Sequence, residues 1–230
     1  MKRSLLAICT ILCASAFIAA CNKNDDATAN ASLMIVNASP NGSNIDASAN
    51  GTVIVSNLAY PNNSGYKTLA SGNANIIVTE TGTTNQILNG TMVLEANTAY
   101  TFYVVDSAHK RKASFTRDDR TPPAAGKAKV RLVHLSPNTP AIDVTINGSS
   151  NAAFTNRSFN DIAASGMYHA FTEVDAAGLT LQVKLAGTST VLATLPPLTL
   201  VAGKIYTVVI RGFNGGTGSQ ALGVELITHN

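Results

Sequence analysis

Hydrophobic and polar positions alternate along much of this chain. Leu179, Leu181, Val183 and Leu185 are interleaved with Thr180, Gln182 and Lys184, and Ile142, Val144 and Ile146 with Asp143 and Thr145. A period of two places one set of side chains on one face of a strand. The second run leads into Asn147-Gly148, a pair that favours a two-residue hairpin turn. Residues 99–105 and 205–210 are instead nearly continuous runs of β-branched and aromatic residues, which predicts central, buried strands. Strands about every ten residues, punctuated by turn formers and with no sustained helical period, predict an all-β chain of antiparallel, immunoglobulin-like sandwiches.

The pattern repeats. Val36-Asn37-Ala38-Ser39-Pro40-Asn41 reappears as Val133-His134-Leu135-Ser136-Pro137-Asn138; Ile45-Asp46 matches Ile142-Asp143, and Asn50-Gly51 matches Asn147-Gly148. Leu94 to Thr101 answers Leu200 to Thr207, while Gly65-Tyr66 pairs loosely with Gly166-Met167-Tyr168. Self-similarity at this period implies two copies of one unit. The first is expected over residues 32–108 and the second over residues 128–230. Residues 109–127 between them hold Lys110-Arg111-Lys112, Arg117, Asp118-Asp119, Arg120 and Pro122-Pro123, the marks of a linker or an exposed extension of the last strand. Lysines there suit a solubilising edge.

The first residues follow another pattern. Lys2 and Arg3 precede an apolar run from Leu5 to Ala20, which predicts a signal peptide over residues 1–20. The small residues of Ile18-Ala19-Ala20-Cys21 resemble the lipobox of bacterial lipoproteins. That resemblance implies cleavage between Ala20 and Cys21 and acylation of Cys21, with palmitate among the expected chains. Several acyl chains on one residue anchor far more firmly than a single one. Residues 21–31 then read as the lipidated cysteine and a polar tether. Lys23 and Asp25-Asp26 resemble the surface-export signal of some outer-membrane lipoproteins; a periplasm-facing tether is the alternative.

Composition narrows the function classes. Only 13% of residues are charged and Trp is absent, so the cores must be built from Val, Ile, Leu and Ala. The formal charge of +3 falls, without Lys2 and Arg3, to 14 cationic against 13 anionic side chains, which offers no field for nucleic acid. Cys9 and Cys13 lie in the leader, so the mature chain keeps one cysteine and can form no internal disulfide.

Candidate chemistry is sparse. His134 has no His or carboxylate partner at ligand spacing, and the first repeat has Asn37 in its place, so a structural hydrogen bond is expected there. Asp46 and Asp143 follow the Ser-Pro turns and are expected to accept backbone N–H groups; a calcium site, which needs more oxygen ligands, is the alternative. Tyr66, Tyr100, Tyr168 and Tyr206 stand at matched places and are expected to pack with a hydroxyl reaching backbone. Asp106-Ser107-Ala108 resembles a short bacterial O-glycosylation acceptor, which makes Ser107 a candidate site.

Arg131-Leu132-Val133-His134-Leu135-Ser136-Pro137, with Ile142-Asp143, Leu200, Gly203, Tyr206 and Thr207, resembles the domain-of-unknown-function family 4397. The first repeat departs from that pattern at Asn37 and Asn97. The resemblance implies an architectural role for these motifs and no established activity. The expected protein is therefore a non-enzymatic envelope lipoprotein without catalytic, cofactor or metal residues, lipid-anchored to the outer membrane. It would present two sandwiches to envelope proteins for adhesion, scaffolding or envelope assembly. The alternative is a glycan-binding accessory lipoprotein of a polysaccharide uptake system, with cell-surface polysaccharide as its partner.

Overall fold

The computed structural model describes residues 29–229. The expected leader, the Ala20–Cys21 cleavage point, the acylated cysteine and most of the tether lie outside the described residues. Within them the chain is all-β, with short 3-10 turns and no α-helix.

The first unit contains β1 (Asn30–Asn37), β2 (Ile45–Ala49), β3 (Thr52–Leu58), β4 (Asn63–Ala70), β5 (Gly72–Glu80), β6 (Gln86–Leu94), β7 (Ala99–Val105) and β8 (Lys112–Asp118). They form two four-stranded sheets, β4-β1-β7-β8 and β3-β2-β5-β6. Alternate residues of both sheets meet in one core, including Leu33, Ile35, Ile45, Ile76, Val78, Leu94, Phe102 and Val104. At the β2–β3 hairpin Asn50 and Gly51 take φ of 48° and 80°, the left-handed pair that two-residue turns require.

The second unit contains β9 (Lys127–His134), β10 (Ile142–Ile146), β11 (Ala152–Arg157), β12 (Thr172–Asp175), β13 (Gly178–Leu179), β14 (Leu181–Leu185), β15 (Val191–Thr194), β16 (Leu198–Thr199), β17 (Ile205–Arg211) and β18 (Gly223–Thr228). Its sheets are β12-β9-β17-β18 and β11-β10-β14-β15, with β13-β16 as a short extra pair. The topology matches the first unit except that long strands are broken. Pro196-Pro197 falls between β15 and β16, where the first unit runs β6 unbroken; proline has no N–H for the ladder.

Pairing is antiparallel throughout the named strands with two exceptions: β1 pairs in parallel with β7, and β9 with β17. Lys112–Asp118, within the segment read as a linker, form β8 and pair with β7 from Val105↔Lys112 to Ala99↔Asp118. The alternation of buried Ser114, Thr116 and Asp118 with exposed neighbours is the strand signal that its charges obscure.

The two sandwiches do not hang apart. The outer face of β4-β1-β7-β8 packs on that of β12-β9-β17-β18, and Met34, Val36, Tyr103, Val105, Val133, Leu135, Val209 and Ile227 make a third buried cluster between them. The result is four stacked layers whose two inner sheets are covered on both faces. This explains the unbroken apolar runs. In β7, Tyr100, Phe102 and Val104 fill the first core while Tyr103 and Val105 fill the seam; in β17, Tyr206, Val208 and Ile210 fill the second core while Val209 fills the seam.

Candidate functional site

The repeat motifs shape the ends of the sheets. Asp46 Oδ1 accepts the Asn57 N–H at 2.7 Å and the Thr81 hydroxyl at 2.9 Å, and these bonds, led by the first, hold its carboxyl below the usual range. Asp143 accepts the N–H groups of Asn156 and Gly187 at 2.7 and 2.8 Å. Each carboxylate thus ties its strand to a neighbouring strand and to a turn. Among the described residues no three His, Cys, Asp or Glu side chains converge as a metal site would require.

Asn37 and His134 occupy the same place and are fully buried. Asn37 Oδ1 accepts the Ser39 N–H at 3.3 Å, and His134 Nδ1 accepts the Ser136 N–H at 3.3 Å. Burial lowers the His134 pKa to about 4, so the ring is neutral at pH 7. Tyr100 and Tyr206 likewise correspond: their hydroxyls accept the N–H of Glu95 at 3.3 Å and of Val201 at 3.2 Å. Ser107 caps a 3-10 turn, with its N–H donated to Asp106 Oδ1 at 2.7 Å.

The seam holds the densest group of buried polar side chains. Arg131, from β9, donates to Asp118 Oδ1 at 2.8 Å, with both side chains at most 1% exposed. Its guanidinium also donates twice to the Thr207 hydroxyl, at 2.8 and 3.1 Å, and lies 4.3 Å from the centre of the Phe171 ring. Asp118 Oδ2 accepts the hydroxyls of Tyr66 at 2.7 Å and Thr101 at 2.6 Å. His229 closes the ring, with Nδ1 2.7 Å from Tyr66 Oη and Nε2 2.7 Å from Thr207 Oγ1.

Donor counting orients the network. Tyr66 gives its single proton to Asp118, so His229 Nδ1 must donate to Tyr66; Thr207, which accepts from Arg131, then donates to Nε2. His229 is therefore neutral. Burial lowers its pKa to about 4, aided by the cationic Arg131 and Arg120 and opposed by Asp118. Burial alone would raise the Asp118 carboxyl, but the Arg131 charge and the hydroxyl bonds outweigh it and hold it below its ordinary value.

The ring has a near-twofold logic. Asp118 lies opposite Ala99, one residue before Tyr100; His229 bonds Ile205, one residue before Tyr206. The two side chains thus fill equivalent places in the two units, as do Thr101 and Thr207. Met34 lies opposite Tyr66, and the register of β9 with β12 brings Phe171 opposite Arg131. The partner of Tyr66 is thus Phe171, not Tyr168, and Tyr66 reaches side chains in place of backbone. Along the chain Asp118 falls in the expected linker and His229 lies next to Asn230, with no local signal that marks either. Only the shared register reveals them.

Beside this ring the units leave an open cleft of about 940 Å3, lined by Asn30, Ser32, Thr68, Asn97, Arg117 and Arg120 among others. Its wall combines hydroxyl, amide, guanidinium and carboxylate groups with the His169 imidazole, able to hydrogen-bond a hydrophilic solute, and no Phe or Tyr lines it among the described residues.

Fold and seam define a duplicated β-sandwich protein whose halves share a buried polar ring. The family described as "Domain of unknown function (DUF4397)" matches residues 31–145, half of the chain, and the chain belongs to that family. The match spans the first unit and runs into β10 of the second. Among solved structures, a streptococcal virulence factor described as binding α-glucan is 12% identical over 81% of this chain and 94% of its own, at a TM-score of 0.26. A leucine-rich repeat protein from Bacteroides thetaiotaomicron is 12% identical over 78% of this chain and 25% of its own, at a TM-score of 0.19. Both superpositions are too loose to carry a function. No curated protein matches the chain.

Proposed function

We propose that this protein is a non-catalytic lipoprotein of the cell envelope, acylated at Cys21, that displays its two sandwiches as one stiff body for adhesion, scaffolding or envelope assembly. The observation that carries the display role is the seam. Buried Arg131 and Asp118 bond each other across it, and buried His229 is joined to them through Thr207 and Tyr66, so their chemistry is spent on holding the units together. The leader sequence supports the anchor, and β1 opens at Asn30, a few residues past Cys21, so a short tether would join membrane to sandwich.

Metabolic labelling with palmitate tests the anchor. Label is expected in the wild-type protein and absent from Cys21→Ser, which should leave the membrane fraction. Equal fractionation of both forms overturns the anchor. A broad esterase, glycosidase and protease screen tests the absence of catalysis; turnover by purified protein overturns it. Residue accessibility to protease on intact cells distinguishes a surface-exposed from a periplasm-facing molecule.

A further inference from the structure

Strand β8 is the open edge of its sheet: β7 is its one strand neighbour. Every second residue of such an edge directs its N–H and C=O away from the sheet, ready to pair with another chain. Two cavities flank this edge and share Ala113 and Phe115. One, of about 200 Å3, opens between β8 and β6 and is lined by Ile76, Leu88, Met92 and Phe102. The other, of about 250 Å3, lies between β8 and the 3-10 turns Asp161–Ala163 and Gly166–His169 of the second unit. Its wall includes Ser114, 3% exposed, whose hydroxyl meets no partner among the described residues.

The matching edge strand of the second unit, β18, also has one strand neighbour but carries a better-filled apolar face. Register places Val224 and Leu226 of β18 where β8 has Ala113 and Phe115. Val224 and Leu226 pack on their core, whereas Phe115 is 47% exposed. The apolar face of the first sandwich is therefore less covered along β8 than that of the second along β18.

We propose that β8 is a strand-addition site for an extended, acidic polypeptide segment. A chain laid beside β8 would send alternate side chains into the two cavities, the apolar set toward Met92 and Phe102 and a small or polar set toward Ser114. Charge selects the occupant. Lys110, Lys112 and Arg117 present exposed cations along or beside the edge, so an acidic strand meets opposite charges. Lys112 and Arg117 already touch Asp106 and Glu95, but both cations are more than half exposed, and such pairs exchange partners at little cost. The inference deepens the display role by giving it a partner class. It rests on that role and is independent of the lipid anchor.

The test uses the full mature chain carrying Cys21→Ser, which removes the residue expected to be acylated. The probe is a synthetic peptide of alternating valine and serine with two glutamates at each end. Saturable binding with a dissociation constant below about 1 mM is expected, with amide shifts centred on residues 112–118. Phe115→Asp should weaken it by about tenfold or more. A peptide with proline at alternate positions, lacking the needed N–H groups, should not bind. No saturable binding, equal binding of the proline peptide, or indifference to Phe115→Asp overturns the proposal. So does self-association of the chain that Phe115→Asp abolishes, since the occupant would then be a second copy. Catalytic turnover in the screen above would remove the display role by itself, whatever the peptide does.

Discussion

Asp118 and Arg131 show how much a single side chain can depend on its partner. Removing one member of a buried pair strands the other charge in a medium that cannot solvate it. Arg131→Met, which copies Met34 from the equivalent place, should therefore cost about 3–5 kcal/mol in urea denaturation. Adding Asp118→Asn should recover part of that loss, visible as a coupling of about 0.5–3 kcal/mol in a double-mutant cycle. The histidines set the response to acid. His134 and His229 titrate near 4 in the folded protein, against about 6.5 when unfolded, so between those values only the unfolded chain takes up their protons. Stability contributed by the neutral rings is fully present above about pH 6.5 and is lost as pH falls toward 4, by about 3 kcal/mol for each ring. His134→Asn, which installs the residue of the first unit, should remove roughly half of this histidine-dependent slope in denaturation curves taken across that range. His134 was visible in the sequence because it stands in a repeated motif. His229 was not, since nothing local distinguishes a histidine near the end of a chain from a solvated one.

At the level of elements, backbone needs explain the repeated residues. In the turn after β10, Gly148 has φ of 72° and a Cβ would meet open space, so Gly148→Ala carries backbone strain without a clash. A loss of about 1 kcal/mol is expected in thermal unfolding. Tyr206→Phe deletes the acceptor of the Val201 N–H and should cost about 0.5–1.5 kcal/mol, with the same change at Tyr100 costing a similar amount. Most strands were legible because a period of two needs only a short window to appear. β8 was not read as a strand of the first unit because Lys112 and Arg117 mask its alternation, and its buried face, Ser114, Thr116 and Asp118, is polar. Polar residues turn inward there because the seam supplies Arg131 and Tyr66 to bond Asp118.

For the whole molecule the seam predicts one cooperative unit. Each fully buried Val, Leu or Ile contributes roughly 1.5–3 kcal/mol relative to exposure, so parting the sandwiches would uncover a large apolar area and break the polar ring. Calorimetry should show a single transition with calorimetric and van't Hoff enthalpies in agreement. Val209→Asp, which places a charge at 2% exposure in the seam, should split or broaden that transition while leaving each sandwich core intact. Two separate transitions in the native protein would mean that the halves are independent. The pairing of Asp118 with His229 at equivalent places also marks the seam as nearly self-complementary, the form that twofold interfaces take.

By itself the sequence determined the β class, the repeated unit, the hairpin at Asn147-Gly148 and the placing of Asp46, Asp143, Tyr100 and Tyr206 within that unit. These follow from side-chain alternation and backbone conformations, which act over a few residues. The tertiary structure decided the parallel pairing of β1 with β7, the stacking of the two sandwiches, the ring of Asp118, Arg131, Thr207, His229 and Tyr66, and the open edge at β8. Each of those depends on groups far apart in the chain meeting away from water, where a charge or hydroxyl must find a partner and an apolar face a cover.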